Sequence, residues 1–158
     1  METLATINFL MAALFAACYC YQAVFALVRL LGKRRTFTAK KPCRYGVLIA
    51  ARNESAVIGQ LIDSIHGQDY PQDLVDVYVV ADNCTDDTAR IAREHGARVF
   101  ERFNKLQVGK GYAMAFLLGK IREGRPEGYD GDFSFDADNL LDPHYITEMN
   151  KAFPSGER

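Results

Sequence analysis

Two aspartates one residue apart, Asp136 and Asp138, close a short apolar stretch of this 158-residue chain. Side chains alternate along an extended backbone, so residues two apart point the same way. The two carboxylates therefore converge, and converging carboxylates repel unless one is protonated or a cation lies between them. A hard divalent ion that prefers oxygen ligands, Mg2+ or Mn2+, relieves the repulsion and would also neutralise a diphosphate. For such a triplet taken alone an acidic turn at a strand end is the plainer reading, and the neighbouring clusters have to decide. Two of these follow apolar runs, Ala51-Arg52-Asn53-Glu54-Ser55 and Asp82-Asn83-Cys84-Thr85-Asp86-Asp87. Lys110, between Gly109 and Gly111, either reaches a phosphate or sits in a turn that opens a helix, and spacing leaves both open. Asp86 and Asp87 are likewise as well explained by a helix amino terminus as by a ligand.

Competing chemistries fail on spacing. A calcium loop needs Asp or Asn and then Gly just after the triplet, where Leu140, Leu141 and Asp142 stand. A Walker phosphate loop needs Ser or Thr at Gly111 and Gly at Asn104, and no GxGxxG follows the first apolar run. His66, His95 and His144 are scattered at helix ends, and Cys18, Cys20, Cys43 and Cys84 form no CxxC pair. Neither a zinc site nor a disulfide framework is implied.

The elements that must position these clusters can be read from periodicity. Tyr45 to Ala51 is apolar without alternation, as in a strand covered on both faces. Val57, Ile58, Leu61, Ile62 and Ile65 recur at helical spacing before Gly67. The pattern then repeats: a strand from Val75 to Ala81, a helix from Asp86 to His95 capped by Thr85 and ended by Gly96, and a strand from Ala97 to Glu101. A helix from Tyr112 to Arg122, a turn-rich stretch from Glu123 to Asp130, a strand from Asp132 to Phe135 and a helix opened by Pro143 complete the alternation. Such alternation predicts an α/β sandwich around a mostly parallel sheet, with all three polar clusters at the carboxyl ends of strands, where open sheets bind ligands.

Ahead of this part lies an apolar segment with no charged residue from Thr3 to Val28. It exceeds the roughly 20 residues that a helix needs to cross a bilayer. It is too long, and lacks the preceding Lys or Arg, for a cleaved signal peptide, and it continues well past Cys18, unlike a lipoprotein signal. Arg29, Lys33, Arg34, Arg35, Lys40, Lys41 and Arg44 follow it, which puts the globular part in the cytoplasm of a cell held by a single pass through its membrane. The expected organisation is an amino-terminal tail over residues 1–6, a transmembrane helix over 7–31, a basic linker over 32–44 and the globular part over 45–158. With 19 basic and 20 acidic residues the net charge is −1, so no broad positive field points to nucleic acid.

In this order the clusters resemble the nucleotide-binding half of the family 2 glycosyltransferases, which share the fold called GT-A. The resemblance runs from about Tyr45 to Phe153. Val47-Leu48-Ile49-Ala50-Ala51-Arg52-Asn53-Glu54 looks like the family's first strand and turn, and Val79 to Thr88 like its second strand and acidic loop. Gly109-Lys110-Gly111 resembles its Gly-Lys segment, and Asp136-Ala137-Asp138 its Asp-x-Asp. The resemblance implies that Asp82 contacts the base of a nucleotide sugar, that Ala51, Arg52, Asn53 and Glu54 line the nucleotide pocket, and that Lys110 lies near base or phosphates. It implies that Asp136 approaches the ribose and the metal, and that Asp138 ligates Mn2+ or Mg2+. The implied reaction is inverting transfer of a sugar from a nucleotide-diphosphate sugar to a lipid or saccharide acceptor hydroxyl, deprotonated by a carboxylate. That general base is expected beyond Arg158, so the chain is expected to be an incomplete GT-A domain, inactive by itself. Two other classes fit less well. A membrane-tethered nucleotide-binding module would bind without transfer. A haloacid-dehalogenase-type phosphatase would use Asp136 as nucleophile but would want Thr where Leu140 stands.

Overall fold

Valine, isoleucine and leucine side chains facing both ways along Tyr45–Ala51 (β1) and Val75–Asp82 (β2) leave these strands only one stable place, the middle of a sheet with helices on both sides. A computed structural model, which describes residues 2–32 and 41–153, shows this arrangement. Arg98–Arg102 (β3) pairs with β2, and Gly131–Asp136 (β4) pairs with β1. All pairings are parallel, in the order β3-β2-β1-β4.

Two apolar layers hold the sheet. On one face Tyr45, Val47, Ile49, Val77 and Val79 pack against Ile58–His66 (α2) through Ile58, Leu61, Ile62 and Ile65. Thr88–Glu94 (α3) adds Ala92 to that layer, and Tyr145–Ala152 (α5) adds Ile146. On the other face Leu48, Tyr78 and Val80 meet Ala113, Leu117 and Ile121 of Lys110–Gly124 (α4). Each of the larger of these side chains contributes about 1.5–3 kcal/mol by leaving water.

β4 departs from this pattern. Phe133 and Phe135 turn inward, Phe133 tilted against Tyr45 and both edge-on to Tyr145, whereas Asp132, Ser134 and Asp136 are exposed on the side where α4 covers the neighbouring strands. The polar face of β4 runs directly into Asp138.

Several boundaries differ from expectation for local reasons. α3 begins at Thr88 and is not capped by Thr85: Asp86 accepts from the Thr88 amide at 3.1 Å and from its hydroxyl at 2.5 Å, holding one more turn out of the helix. It stops where expected, with Gly96 at φ +92° just past its end. α4 starts two residues early, at Lys110, because Gly109 takes φ +125° and lets the chain enter the helix there. α5 starts at Tyr145; the Asp142 carboxylate takes the His144 amide at 2.9 Å, so Pro143 lies in a preceding turn.

Glu2–Leu31 (α1) is a separate unit, helical from Glu2, so residues 2–6 belong to the helix and form no tail. Its 30 residues would be about 45 Å long. By length and composition it is the helix among the described residues that could cross a membrane. The basic linker falls largely outside the described residues, with Lys33, Arg34, Arg35 and Lys40 among those not described.

Candidate functional site

The parallel register brings the ends of β1, β2 and β4 to one edge: Ala51 lies beside Ala81, and Ala50 beside Asp136. Three small residues, Ala50, Ala51 and Ala113, leave a cleft of about 120 Å³ there. Arg52, Asp82, Gly109 and Lys110 complete its lining. Four of the residues singled out from sequence, Ala51, Arg52, Asp82 and Lys110, thus surround one space.

Asp136 joins this group through Lys110, whose ammonium pairs with its Oδ1. Both side chains are more than half exposed, at 51% for Lys110 and 63% for Asp136. A pair so solvated is worth at most about 1 kcal/mol, so the ammonium is easily exchanged for another cation. Asp136 and Asp138 are both exposed, with buried Ala137 between them, but β4 ends at Asp136 and Ala137-Asp138 lie in a turn, so the strand alternation expected from the sequence does not extend to Asp138. The turn is fixed by the Asn139 amide on the Asp136 carbonyl at 3.1 Å. The Asp138 carboxylate has no partner among the described residues.

Asp82 is different in kind. It is buried and pairs with buried Arg102 at 2.5 Å, in register across β2 and β3. Such a pair survives burial only if its remaining polar atoms are also bonded. Here Asn83 donates to Asp82 Oδ1 at 3.2 Å, and Arg102 donates to the Gln107 carbonyl at 2.8 Å. Arg102 was not foreseen: its role depends on the β2–β3 register, which spacing within one strand does not reveal.

Asn53 and Glu54 are placed outside the lining of the cleft and hold its walls. Asn53, at φ +57°, accepts the Thr85 amide at 2.8 Å, and the Glu54 amide donates to Thr88 Oγ1 at 2.8 Å. Asn83, at φ +53°, exchanges two bonds with the Asn104 backbone, at 2.9 and 3.1 Å. Two non-glycine residues in the left-handed region at one sheet edge store about 1–3 kcal/mol each, which these bonds offset. Next to them Asp86 has its carboxyl lowered to about 2, first by the Thr88 hydroxyl and then by Ser55. Asp86 therefore ties loop to helix, and nothing in its surroundings sets it apart as a ligand.

Among the described residues no group of three or more His, Cys, Asp or Glu side chains could by itself enclose a metal ion. Two adjacent carboxylates, one unpartnered and one held by a displaceable ammonium, do fit a hard cation that takes its other ligands from phosphate and water, the usual manner of Mg2+.

A family model described as "Glycosyltransferase like family 2" matches residues 42–157. The chain belongs to this family. Its sheet has the GT-A arrangement of solved glycosyltransferases. The mannosyltransferase PcManGT from Pyrobaculum calidifontis, solved with GDP-Man and Mn2+, superposes with a TM-score of 0.66 and 25% identity, over 89% of this chain and 41% of that one. Glucosyl-3-phosphoglycerate synthase of M. tuberculosis gives a TM-score of 0.54 and 28% identity over 73% of this chain and 42% of its own. The 4,4'-diaponeurosporenoate glycosyltransferase of Staphylococcus aureus (strain USA300) is 49% identical over 55 residues, which are 35% of this chain and 14% of that protein. This glycosyltransferase-like chain therefore spans less than half the length of each of these relatives.

Proposed function

We propose that this chain supplies the donor-binding half of a metal-dependent, inverting glycosyltransferase that moves a sugar from a nucleotide-diphosphate sugar to a lipid or saccharide hydroxyl. The single observation that carries the reading is the meeting, at the carboxyl edge of the sheet, of the exposed Asp136 and Asp138 with Lys110 and the cleft that ends in Asp82. Nucleotide-bound relatives of the same fold, with GDP-Man and with UDP-GlcNAc, support it.

Each residue then has a task. Asp82, paired with Arg102, presents an acceptor to N–H groups of the base, while the alanines at Ala50, Ala51 and Ala113 leave room for a flat ring. Arg52 and Lys110 bring positive charge to the phosphates. Asp136 and Asp138 would hold Mn2+ or Mg2+, which when bound supplies a Lewis acid for the departing diphosphate. Asn53 and Glu54 keep the loop after β1 against the loop after β2, so that the cleft is formed before the donor arrives. The general base belongs outside residues 41–153 in this reading. α1 spans the cell membrane with the globular unit on the cytoplasmic side, where nucleotide sugars are made available to it.

Calorimetric titration of the full chain in detergent with UDP and with GDP tests the site. Binding is expected only with Mn2+ or Mg2+ present, and Asp138→Ala is expected to weaken it at least about tenfold, the cost of a lost ligand group of roughly 1.4 kcal/mol. Equal affinity in EDTA would remove the metal role given to Asp138.

A further inference from the structure

Lys105 and Leu106 lie in the loop between β3 and α4, ahead of Gly109, the one residue of that loop that lines the cleft. Leu106 is 96% exposed and Phe103 70%, and Val108 and Tyr112 are exposed beside them. Scattered apolar side chains on a surface need no explanation, but a contiguous group marks a place where something binds. These four lie within ten residues, while the other large exposed apolar side chains of the globular unit, Leu140, Met149 and Phe153, are spread over later elements.

The loop is held in this state and is not merely slack. Asn104 Oδ1 accepts the amides of Leu106 and Gln107, both at 2.9 Å, and Arg102 holds the Gln107 carbonyl. Asn104 is itself locked to Asn83. Leu106 is thus presented outward by a bonded turn.

Charge narrows the partner. From Arg102 to Arg122 the chain has no acidic residue. Arg102 and Lys110 are occupied by Asp82 and Asp136, and Glu101, just before the loop, is paired with Arg93 at 2.6 Å. Lys105, next to Leu106, has no partner among the described residues. A free ammonium flanked by leucine, phenylalanine and tyrosine side chains is the chemistry of a segment that lies in an anionic membrane interface, with the apolar groups among the acyl chains and the cation at the phosphates. The same chain carries α1, apolar and long enough to enter a bilayer.

We propose that the Phe103–Gly109 loop is a second membrane contact, in which Phe103, Leu106 and Val108 enter the interface and Lys105 binds anionic headgroups. The inference rests on the reading of α1 as membrane-inserted. It does not depend on the donor or the metal.

Since the chain contains no tryptophan, Leu106→Trp places one fluorophore at the tip of the loop. The full chain with this substitution is reconstituted into vesicles of phosphatidylcholine and phosphatidylglycerol, with and without lipids brominated near the top of the acyl chains. The vesicles are expected to carry the protein on flotation, with emission shifted to the blue and quenched by the brominated lipid. Adding Lys105→Glu is expected to reduce the quenching severalfold, about what one lysine contributes at an anionic surface. Flotation with emission typical of water overturns the loop contact alone. Flotation with blue but unquenched emission also overturns it, because a protein segment or a second copy then covers Leu106. Failure to float overturns both the loop contact and the insertion of α1.

Discussion

The two ends of the sheet use the same residue types in opposite ways. At the amino-terminal ends of the strands most polar groups are satisfied within the protein, the exposed Asp132 of β4 being an exception. Asp76 takes Arg125 at 3.0 Å and the Tyr129 hydroxyl at 2.7 Å, with Arg98 at 3.4 Å. Asn150 accepts the Cys43 amide at 3.1 Å and the Tyr45 hydroxyl at 2.9 Å, and donates to the Lys41 carbonyl at 3.1 Å. Burial pushes the hydroxyls of Tyr45 and Tyr129 well above the ordinary phenol value, so they act as fixed neutral donors. At the carboxyl ends Asp138 is unpartnered, Asp136 has one exposed partner, and two asparagines adopt left-handed backbone. One end stabilises; the other keeps unpaired charge, and this contrast is the physical ground for placing the proposed site at the carboxyl edge.

Substitutions can break that contrast or sharpen it. The largest stability effect belongs to the one place where the carboxyl edge behaves like the amino edge. Asp82→Ala strands Arg102 in a buried site and is expected to cost about 3–5 kcal/mol in urea unfolding. Asn150→Ala orphans the buried Tyr45 hydroxyl, while the Cys43 amide keeps the Tyr70 hydroxyl, and is expected to cost about 1–3 kcal/mol, with nucleotide binding unchanged. Asp86→Asn acts through pH. Its folded-state value is lowered, so its stabilisation is complete above the usual carboxylate value of 3.8 and is lost as pH falls toward about 2. Acid unfolding of the variant should therefore be flatter between those values than that of the parent. Asp138→Ala should leave stability within about 0.5 kcal/mol while abolishing cation-supported binding. A large stability loss there would give Asp138 a structural task and erase the contrast.

Much of the fold is legible in the chain because its signals are local. β1 occupies the expected residues and α2 begins one residue after Val57, since apolar runs and helical spacing are set by near neighbours. The end of β4 was less legible: the chain turns at Ala137-Asp138, so the alternation expected to carry on to Asp138 stops at Asp136. What was not legible depends on partners distant in sequence. Arg102 faces Asp82 only once β2 and β3 are in register, and Asn53 reaches Thr85 only once the two loops are side by side. The start of α3 was misplaced because threonine and aspartate both cap helices, and here the aspartate one residue later forms the turn. Lys110 stands at the head of α4 because a glycine that reads as a helix breaker, Gly109, is in this backbone the entry point.

Among the described residues β4, like β3, is paired on one side only, and this has a consequence for the lifetime of the site. It is joined to β1 across a long separation, beginning with the Arg44 amide on Asp130, 86 residues along the chain. While residues 52–130 are being synthesised, the edge of β1 that will receive it has no partner, and closing so large a loop is the slow kind of folding step. An edge strand is also the first to open by local fluctuation, at a free energy below that of global unfolding. When β4 lifts away, Asp136 leaves Lys110, although β1, β2 and β3 remain paired and Asp82 stays in the cleft. Donor binding would then report on the docking of this strand, and a bound nucleotide would slow hydrogen exchange in β4 more than in the central strands β1 and β2.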